Sequence, residues 1–238
     1  LKIDFDFDFR SDSAGKDPDF ASLKLRSYHK YLWTKSLPNG EFFKLSDQES
    51  GKYLVFHGNS TTHFLSSDSI VNSYASRKKP PEIIKQIDPY LIETFKTLNS
   101  TVGAFILFPS NKINNNFTIN QERGINSLIQ DRFDLTLECI KRYFNNEQSP
   151  LFETLKRYEK FFKLFVDFKG FIDFFLLNDI VSTNYQEILL FNNFGQIFES
   201  SPIPATVQSY LEYRANSMKF TRSRNLRISN WVGSVSGI

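Results

Sequence analysis

The sequence predicts an α+β fold, strand-rich over residues 1–129 and helix-rich over 130–238, and three observations carry it. Short alternating or apolar runs bounded by Gly, Pro and Asn crowd the first half. Apolar residues at helical spacing dominate the second. Nothing in the 238 residues reads as a flexible tether, and that length suits one core, so a single α+β domain is expected.

Lys2 to Phe9 alternates, with Ile3, Phe5, Phe7 and Phe9 opposed to Asp4, Asp6 and Asp8, and reads as a half-buried strand. Ser11 to Pro18 is turn-forming. Leu25, Tyr28, His29 and Leu32 share one face of a short helix within Phe20 to Trp33, and Leu37-Pro38-Asn39-Gly40 turns the chain. Glu41 to Leu45 and Lys52 to His57 are β-type runs, and Phe64-Leu65 begins a third. Ser66 to Tyr74 reads as a helix capped by Ser66, Ser67 or Asp68. Ile83 to Leu98 is a helix interrupted near Pro89, Val102 to Phe108 a buried strand, and Asn111 to Asn116 a polar loop. Gln130 to Phe144 has the clearest helical stripe, in Phe133, Leu137, Ile140 and Phe144. Leu151 to Phe165, Phe171 to Val181 and Ala205 to Asn225 supply further helices, separated by Gly170 and by Ser201 to Pro204.

Composition excludes several classes. Hydrophobic residues at 40% and charged residues at 23% are globular values, not those of a disordered chain. The 26 phenylalanines, with abundant Asn, Ile and Lys, fit AT-rich coding and argue for no aromatic platform by themselves. The most apolar window, Phe161 to Leu177, is broken by Lys163, Asp167, Lys169 and Asp173, so no membrane span is expected. Leu1 to Arg10 lacks the basic and apolar regions of a signal peptide, which predicts a cytoplasmic protein. The single cysteine, Cys139, excludes an internal disulfide and a multi-cysteine zinc site. A net charge of +3 does not mark a nucleic-acid binder, although Arg214, Lys219, Arg222, Arg224 and Arg227 follow one another with no acid between Arg214 and Arg227. That stretch is either a solvated helix end suited to the dipole or an RNA-contacting surface built on Arg222, Arg224 and Arg227.

Three further constellations bear chemistry. Asp4, Asp6 and Asp8 on one strand face would hold Mg²⁺ for nuclease chemistry, or else would simply keep an edge strand soluble. Tyr53 to Gly58, a strand ending in His57-Gly58 before Asn59-Ser60-Thr61, resembles the first active-site strand of diphtheria-toxin-like and poly-ADP-ribose-polymerase-like ADP-ribosyltransferases. The resemblance implies that His57 and the Gly58 backbone hold the nicotinamide ribose and amide of NAD. It further implies a stacking tyrosine, with Tyr28 and Tyr74 available, and a glutamate for the oxocarbenium-like transition state, for which Glu138 is available. The plain alternatives are a hydrogen-bonding histidine and a Glu138–Arg142 helix pair. Arg123 before Gly124, and Arg132 at the start of the clear helix, would clamp a phosphate or pair with Asp131 or Asp134.

Longer stretches resemble a bacterial family of uncharacterised function: Gly15 to Asp19, Leu25 to His29 through Trp33, Leu37 to Gly40, Leu65 to Ile70, Thr118 to Gly124, Asp131 to Ile140 and Asp173 to Leu177. The ensemble is also similar to the ADP-ribosyltransferase toxins of anti-phage toxin–antitoxin–chaperone systems that modify messenger RNA. That likeness implies NAD as cofactor, RNA as substrate, a possible antitoxin partner, Tyr28, His57 and Glu138 as catalytic residues, and Arg26, Gly58 and Arg123 at the cofactor. Tyr28 precedes His57, out of the usual His-Tyr-Glu order. Two alternatives stand beside it: a nuclease using Asp4, Asp6 and Asp8, and a non-catalytic module binding nucleic acid or an antitoxin.

Overall fold

Among the described residues six short strands form two sheets, and strand β5 is the element around which the rest is arranged. The computed structural model describes residues 2–49, 51, 53–192 and 196–236. A hairpin joins β1 (Lys35–Ser36) to β2 (Phe42–Phe43) through Leu37 to Gly40, with Gly40 at φ +89°. A four-stranded antiparallel sheet follows in the order β3 (Leu45–Asp47), β4 (Leu54–His57), β5 (Thr62–Ser69) and β6 (Phe105–Pro109). Lys52, the expected start of the second β-run, and Leu1 lie outside the described residues.

The register leaves part of β5 open. Its pairing with β4 ends at Leu54 opposite Leu65, whereas its pairing with β6 runs from Leu65 opposite Pro109 to Ser69 opposite Phe105. Ser66 to Ser69 therefore have a strand on one side only. Helix α1 (Pro18–Ala21) packs there instead, and α2 (Leu23–Trp33) follows it, capped by Ser22, whose Oγ accepts from the Leu25 N–H at 3.0 Å.

Beyond the sheet, α3 (Pro89–Leu98) starts with Pro89 in its first turn and Asp88 as cap, which is why the helical pattern from Ile83 breaks there. Ile83 itself lies in a 3₁₀ turn, Glu82–Gln86. Helix α4 (Ile119–Ile125) opens on a Thr118/Gln121 capping box. Helix α5 (Phe133–Phe144) begins three residues later than its pattern, because Gln130 and Asp131 take left-handed backbone, at φ +47° and +64°. The run from Leu151 splits into α6 (Phe152–Arg157) and α7 (Glu159–Phe162) with a 3₁₀ turn to Phe165. Val166 at φ +69° then redirects the chain into α8 (Phe168–Phe174). Gly170 lies inside α8 and is no separator; a Cβ there would come 2.1 Å from the Phe165 carbonyl oxygen. Helix α9 (Val207–Ser236) runs 30 residues, well past the expected Asn225. One buried hydrophobic cluster, from Ile3 to Ile228, draws on both halves, and the phenylalanines of α7, α8 and the turn between them stack edge to face within it.

Two expected elements are absent in that form. Lys2 to Phe9 buries Ile3 and Phe9 as the alternation requires, yet it is not a strand. Isolated bonds hold it: the Asp4 N–H donates to the Tyr28 hydroxyl at 2.8 Å, and the Phe9 N–H to the Ser100 carbonyl at 2.9 Å. Ser66 to Tyr74 is no helix; its first residues continue β5, because the sheet's ladder outcompetes the capping chemistry of Ser66, Ser67 and Asp68. Among the described residues no helix is long and apolar enough to cross a membrane.

Candidate functional site

The open edge of β5 is where polar side chains converge. A cavity of about 500 Å³ lies against it, lined by Leu65 to Asp68 of β5, Leu54 of β4, Arg26 and His29 of α2, Ser110 and Lys112 after β6, Asn120 and Gln121 of α4, and Asp17. The arrangement follows from the register, since a fourth strand residue opposite Ser66 to Asp68 would fill the space.

Each polar group there has a defined setting. Arg26 lies on the face of α2 turned to β4, and its Nη2 donates to Asp47 Oδ1 at 3.0 Å and to the Tyr53 carbonyl at 3.1 Å. Among the described residues no acceptor engages its Nε or Nη1. Lys30, followed by Arg26, holds the Asp47 carboxyl below its ordinary pKa, so Asp47 is a fixed anion anchoring one edge of the guanidinium. Lys112 is exposed at the rim.

His29 is fully buried, and its role is set by its tautomer. The Trp33 indole, which can only donate, donates to Nδ1 at 2.9 Å, so Nε2 carries the proton and donates to Ser67 Oγ at 2.9 Å. Burial, with Arg224 and Arg26 adding repulsion, pushes the ring's pKa down to about 3. A neutral histidine that donates to the serine cannot deprotonate it. The pair orients the Ser67 hydroxyl towards the cavity as a hydrogen-bonding group and is not a nucleophile–base couple.

Asn120 spans the next position. Its Nδ2 donates to Ser66 Oγ at 3.3 Å and to the Ser67 carbonyl at 3.5 Å, which fixes the amide orientation, and its buried Oδ1 has no partner. Behind it, fully buried Arg123 ion-pairs with Asp68 and donates from Nε to Thr136 Oγ1 at 2.8 Å. The cavity is thus lined by an anchored cation, a second cation at its rim and three serines. A hydroxyl-rich anion of nucleotide size matches those groups.

The expected catalytic trio does not meet here. Tyr28 is in the core, 1% exposed, its hydroxyl occupied by the Asp4 amide and its ring edge-on to Phe9. His57 is exposed at the β4–β5 turn, Nδ1 3.0 Å from Thr62 Oγ1, at the end of β4 away from Leu54. Gly58 serves that turn, its N–H donating to the Thr61 carbonyl at 3.0 Å. Glu138 is buried on α5 between Lys141 at 2.8 Å and Arg142 at 2.9 Å, an ion-paired helix face. None of the four lines the cavity. Arg26 does; Arg123 lies behind it and pairs with Asp68.

The basic stretch of α9 also needs correction. Arg224 is fully buried and donates to the carbonyls of Gly103, Phe105 and Phe175, so it stitches α9 to the sheet and to α8 and cannot meet RNA. Arg227 chelates Asp179 at 2.7 and 2.9 Å, and Arg214 donates to the Leu91 carbonyl and Thr94. Arg222 and Lys219 remain exposed, too few for a phosphate track. Arg132 pairs with buried Asp134. Asp8 is spent on Arg10, and among the described residues no group of three acidic, histidine or cysteine side chains could hold a metal ion, so Asp4, Asp6 and Asp8 form no metal site.

A family model described as a family of unknown function, DUF6994, matches residues 3–228. The chain belongs to that family. No curated protein and no solved structure matches it. Membership in DUF6994 agrees with the resemblance drawn from the sequence to a family without established chemistry. The stretches that carried that resemblance contribute Asp17, Arg26, His29, Leu65 to Asp68, Asn120 and Gln121 to the cavity of this DUF6994 chain. Sequence reasoning passed over His29, Ser67 and Asn120 as site residues, although the i, i+4 spacing of His29 and Trp33 on a helix signals a locked imidazole.

Proposed function

We propose that the chain binds a nucleotide in the β5-edge cavity, with NAD as the ligand and ADP-ribosyl transfer to RNA as the activity. One observation carries the reading. Arg26 is held by Asp47 along one edge and lines the cavity together with Ser66, Ser67 and Lys112. Such a guanidinium suits a pyrophosphate, and the serine hydroxyls suit a ribose. Lys112 adds a second phosphate contact from the rim. His29 holds Ser67 in place and exchanges no proton at neutral pH. Cleavage of a nicotinamide–ribose bond calls for a carboxylate near the developing oxocarbenium, and the carboxylates of this cavity are Asp17 and Asp68, Asp68 being fixed by Arg123.

The test is nicotinamide release from NAD in the presence of single-stranded RNA. Release is expected from the wild type, lost in Arg26→Gln and in Lys112→Gln/Asn120→Leu, and retained in His57→Ala. Absence of NAD binding by the wild type overturns the reading.

A further inference from the structure

The loop after β6 runs between two cavities, and its residues alternate between them. Ser110 and Lys112 line the β5-edge cavity, whereas Pro109, Asn111 and Ile113 line a second one of about 380 Å³, together with Thr62 and His63 of β5 and the α6–α7 junction. That junction contributes Lys156, Arg157 and Lys160 to the second cavity. The loop is fixed to the helices through its carbonyls: the Tyr158 hydroxyl donates to Asn111 at 2.9 Å, and Arg157 Nη2 to Phe117 at 3.0 Å. Lys112 Nζ stands 5.7 Å from the centre of the Phe117 ring. A continuous ridge therefore runs from the rim of the first cavity, at Lys112, across Phe117 and Arg157 to Lys156 and Lys160.

The ridge is unbalanced in charge. Between Pro109 and Thr118 the chain carries Lys112 and no acid, and from Phe152 to Lys163 the cations Lys156, Arg157, Lys160 and Lys163 oppose only Glu153 and Glu159. Glu159 is taken by Lys163 at 3.4 Å, and Glu41, the carboxylate on the His63 side, by the Asn39 amide and the Asn59 N–H, each at 2.8 Å. Lys112, Lys156 and Lys160 are exposed and make no ion pair among the described residues. Exposed lysines without carboxylate partners are the groups that bind a polyanion by releasing its counter-ions. Phe117, 47% exposed, sets an apolar ring among them. Cations interleaved with an exposed aromatic ring suit a strand whose phosphates and unstacked bases are both within reach, whereas a duplex, its bases turned inward, would use the cations alone.

We infer that the ridge formed by Lys112, Phe117, Lys156 and Lys160 is a single-stranded RNA path leading to the mouth of the β5-edge cavity, with the lysines on phosphates and Phe117 against a base. Arg157 positions the ring and is no phosphate contact, since its Nη2 is engaged by the Phe117 carbonyl and by Thr154 Oγ1 at 3.1 Å. An RNA strand on this ridge deepens the function proposed above by placing the acceptor that α9 does not bind, and it rests on that reading only for the choice of RNA over DNA.

The experiment follows binding of a fluorescein-labelled single-stranded RNA of about 12 nucleotides to the full chain without NAD, by fluorescence anisotropy between about 50 and 200 mM salt, with thermal unfolding as the check that each variant is folded. The wild type is expected to bind with an affinity that falls linearly in log K against log salt. Lys156→Gln/Lys160→Gln is expected to make that slope shallower by roughly 1.4, two phosphate contacts at roughly 0.7 each. Phe117→Ala is expected to weaken binding about 5-fold or more and leave the slope unchanged, because stacking releases no counter-ion. Arg222→Gln, at an exposed cation of α9, is expected to bind as the wild type does. No RNA binding by the wild type, or a double variant with unchanged affinity and slope, overturns the assignment, and binding of polyglutamate but not of RNA overturns it in favour of an acidic protein partner. A chain that binds RNA here and takes no NAD keeps this path and loses the transferase reading, whereas one that binds NAD and no RNA loses the path.

Discussion

His29 shows how a single buried side chain ties packing to pH. Its folded-state pKa of about 3 lies below the ordinary 6.5, so between those values the unfolded chain binds a proton that the folded chain does not. Stability is then complete above pH 6.5 and falls as pH drops towards 3, by on the order of 5 kcal/mol in total. Unfolding in urea between pH 7 and 4 should show that acid limb, and His29→Gln should flatten it. His63, pushed down to about 4 by burial, adds a similar slope that ends near pH 4 and persists in that variant. Arg224 gives a second residue-scale outcome. Arg224→Met strands three buried carbonyl acceptors and should destabilise by about 3–5 kcal/mol, whereas exposed Arg222→Ala should stay within about 0.5 kcal/mol. Chemical denaturation of both variants distinguishes a structural arginine from a surface one. Charge pattern alone made the two look alike, since the run from Arg214 to Arg227 encodes no burial. Long-range carbonyl partners in Gly103, Phe105 and Phe175 decide it, and they lie 49 to 121 residues away.

At the scale of elements, local chemistry was legible wherever no distant partner competed. Pro89 opening α3, the Leu37 to Gly40 turn and the stripe of α5 follow from dihedral preference and periodicity. Ser66 to Ser69 did not, because a strand with polar side chains on an open edge has the composition of a helix cap, and β6 supplies the ladder that decides between them. Lys2 to Phe9 failed in the opposite sense: alternation reports which side chains are buried and not whether a neighbouring strand exists. Two glycine substitutions test the packing. Gly170→Ala drives a methyl into the Phe165 carbonyl and should destabilise by roughly 1–3 kcal/mol or more, while Gly233→Ala, with open space around it in α9, should stabilise by about 0.5–1 kcal/mol. Opposite shifts in melting temperature are the expected result.

For the whole molecule, the sheet's incomplete edge relates fold to function. β4 stops at Leu54, β5 continues to Ser69, and the cavity lies along the exposed stretch. The sequence motifs that carried the family resemblance were legible as patches, but their convergence is a property of topology. Arg26 and Asn120 are 94 positions apart and line one cavity because α2 and α4 each bond to β5, through His29 to Ser67 and Asn120 to Ser66. The likeness of Tyr53 to Gly58 to a transferase strand pointed instead to His57, one residue from a turn whose geometry Gly58 and Thr61 explain. We propose that the Arg26–His29–Ser67–Asn120 cavity, and not His57, holds the nucleotide. Calorimetric titration of NAD into the wild type, Arg26→Gln, Lys112→Gln and His57→Ala tests it most directly. Binding at least ~10-fold weaker is expected in Arg26→Gln, and weaker binding in Lys112→Gln, through loss of charge-assisted hydrogen bonds, with His57→Ala equal to wild type. Binding abolished by His57→Ala and untouched by Arg26→Gln would contradict it.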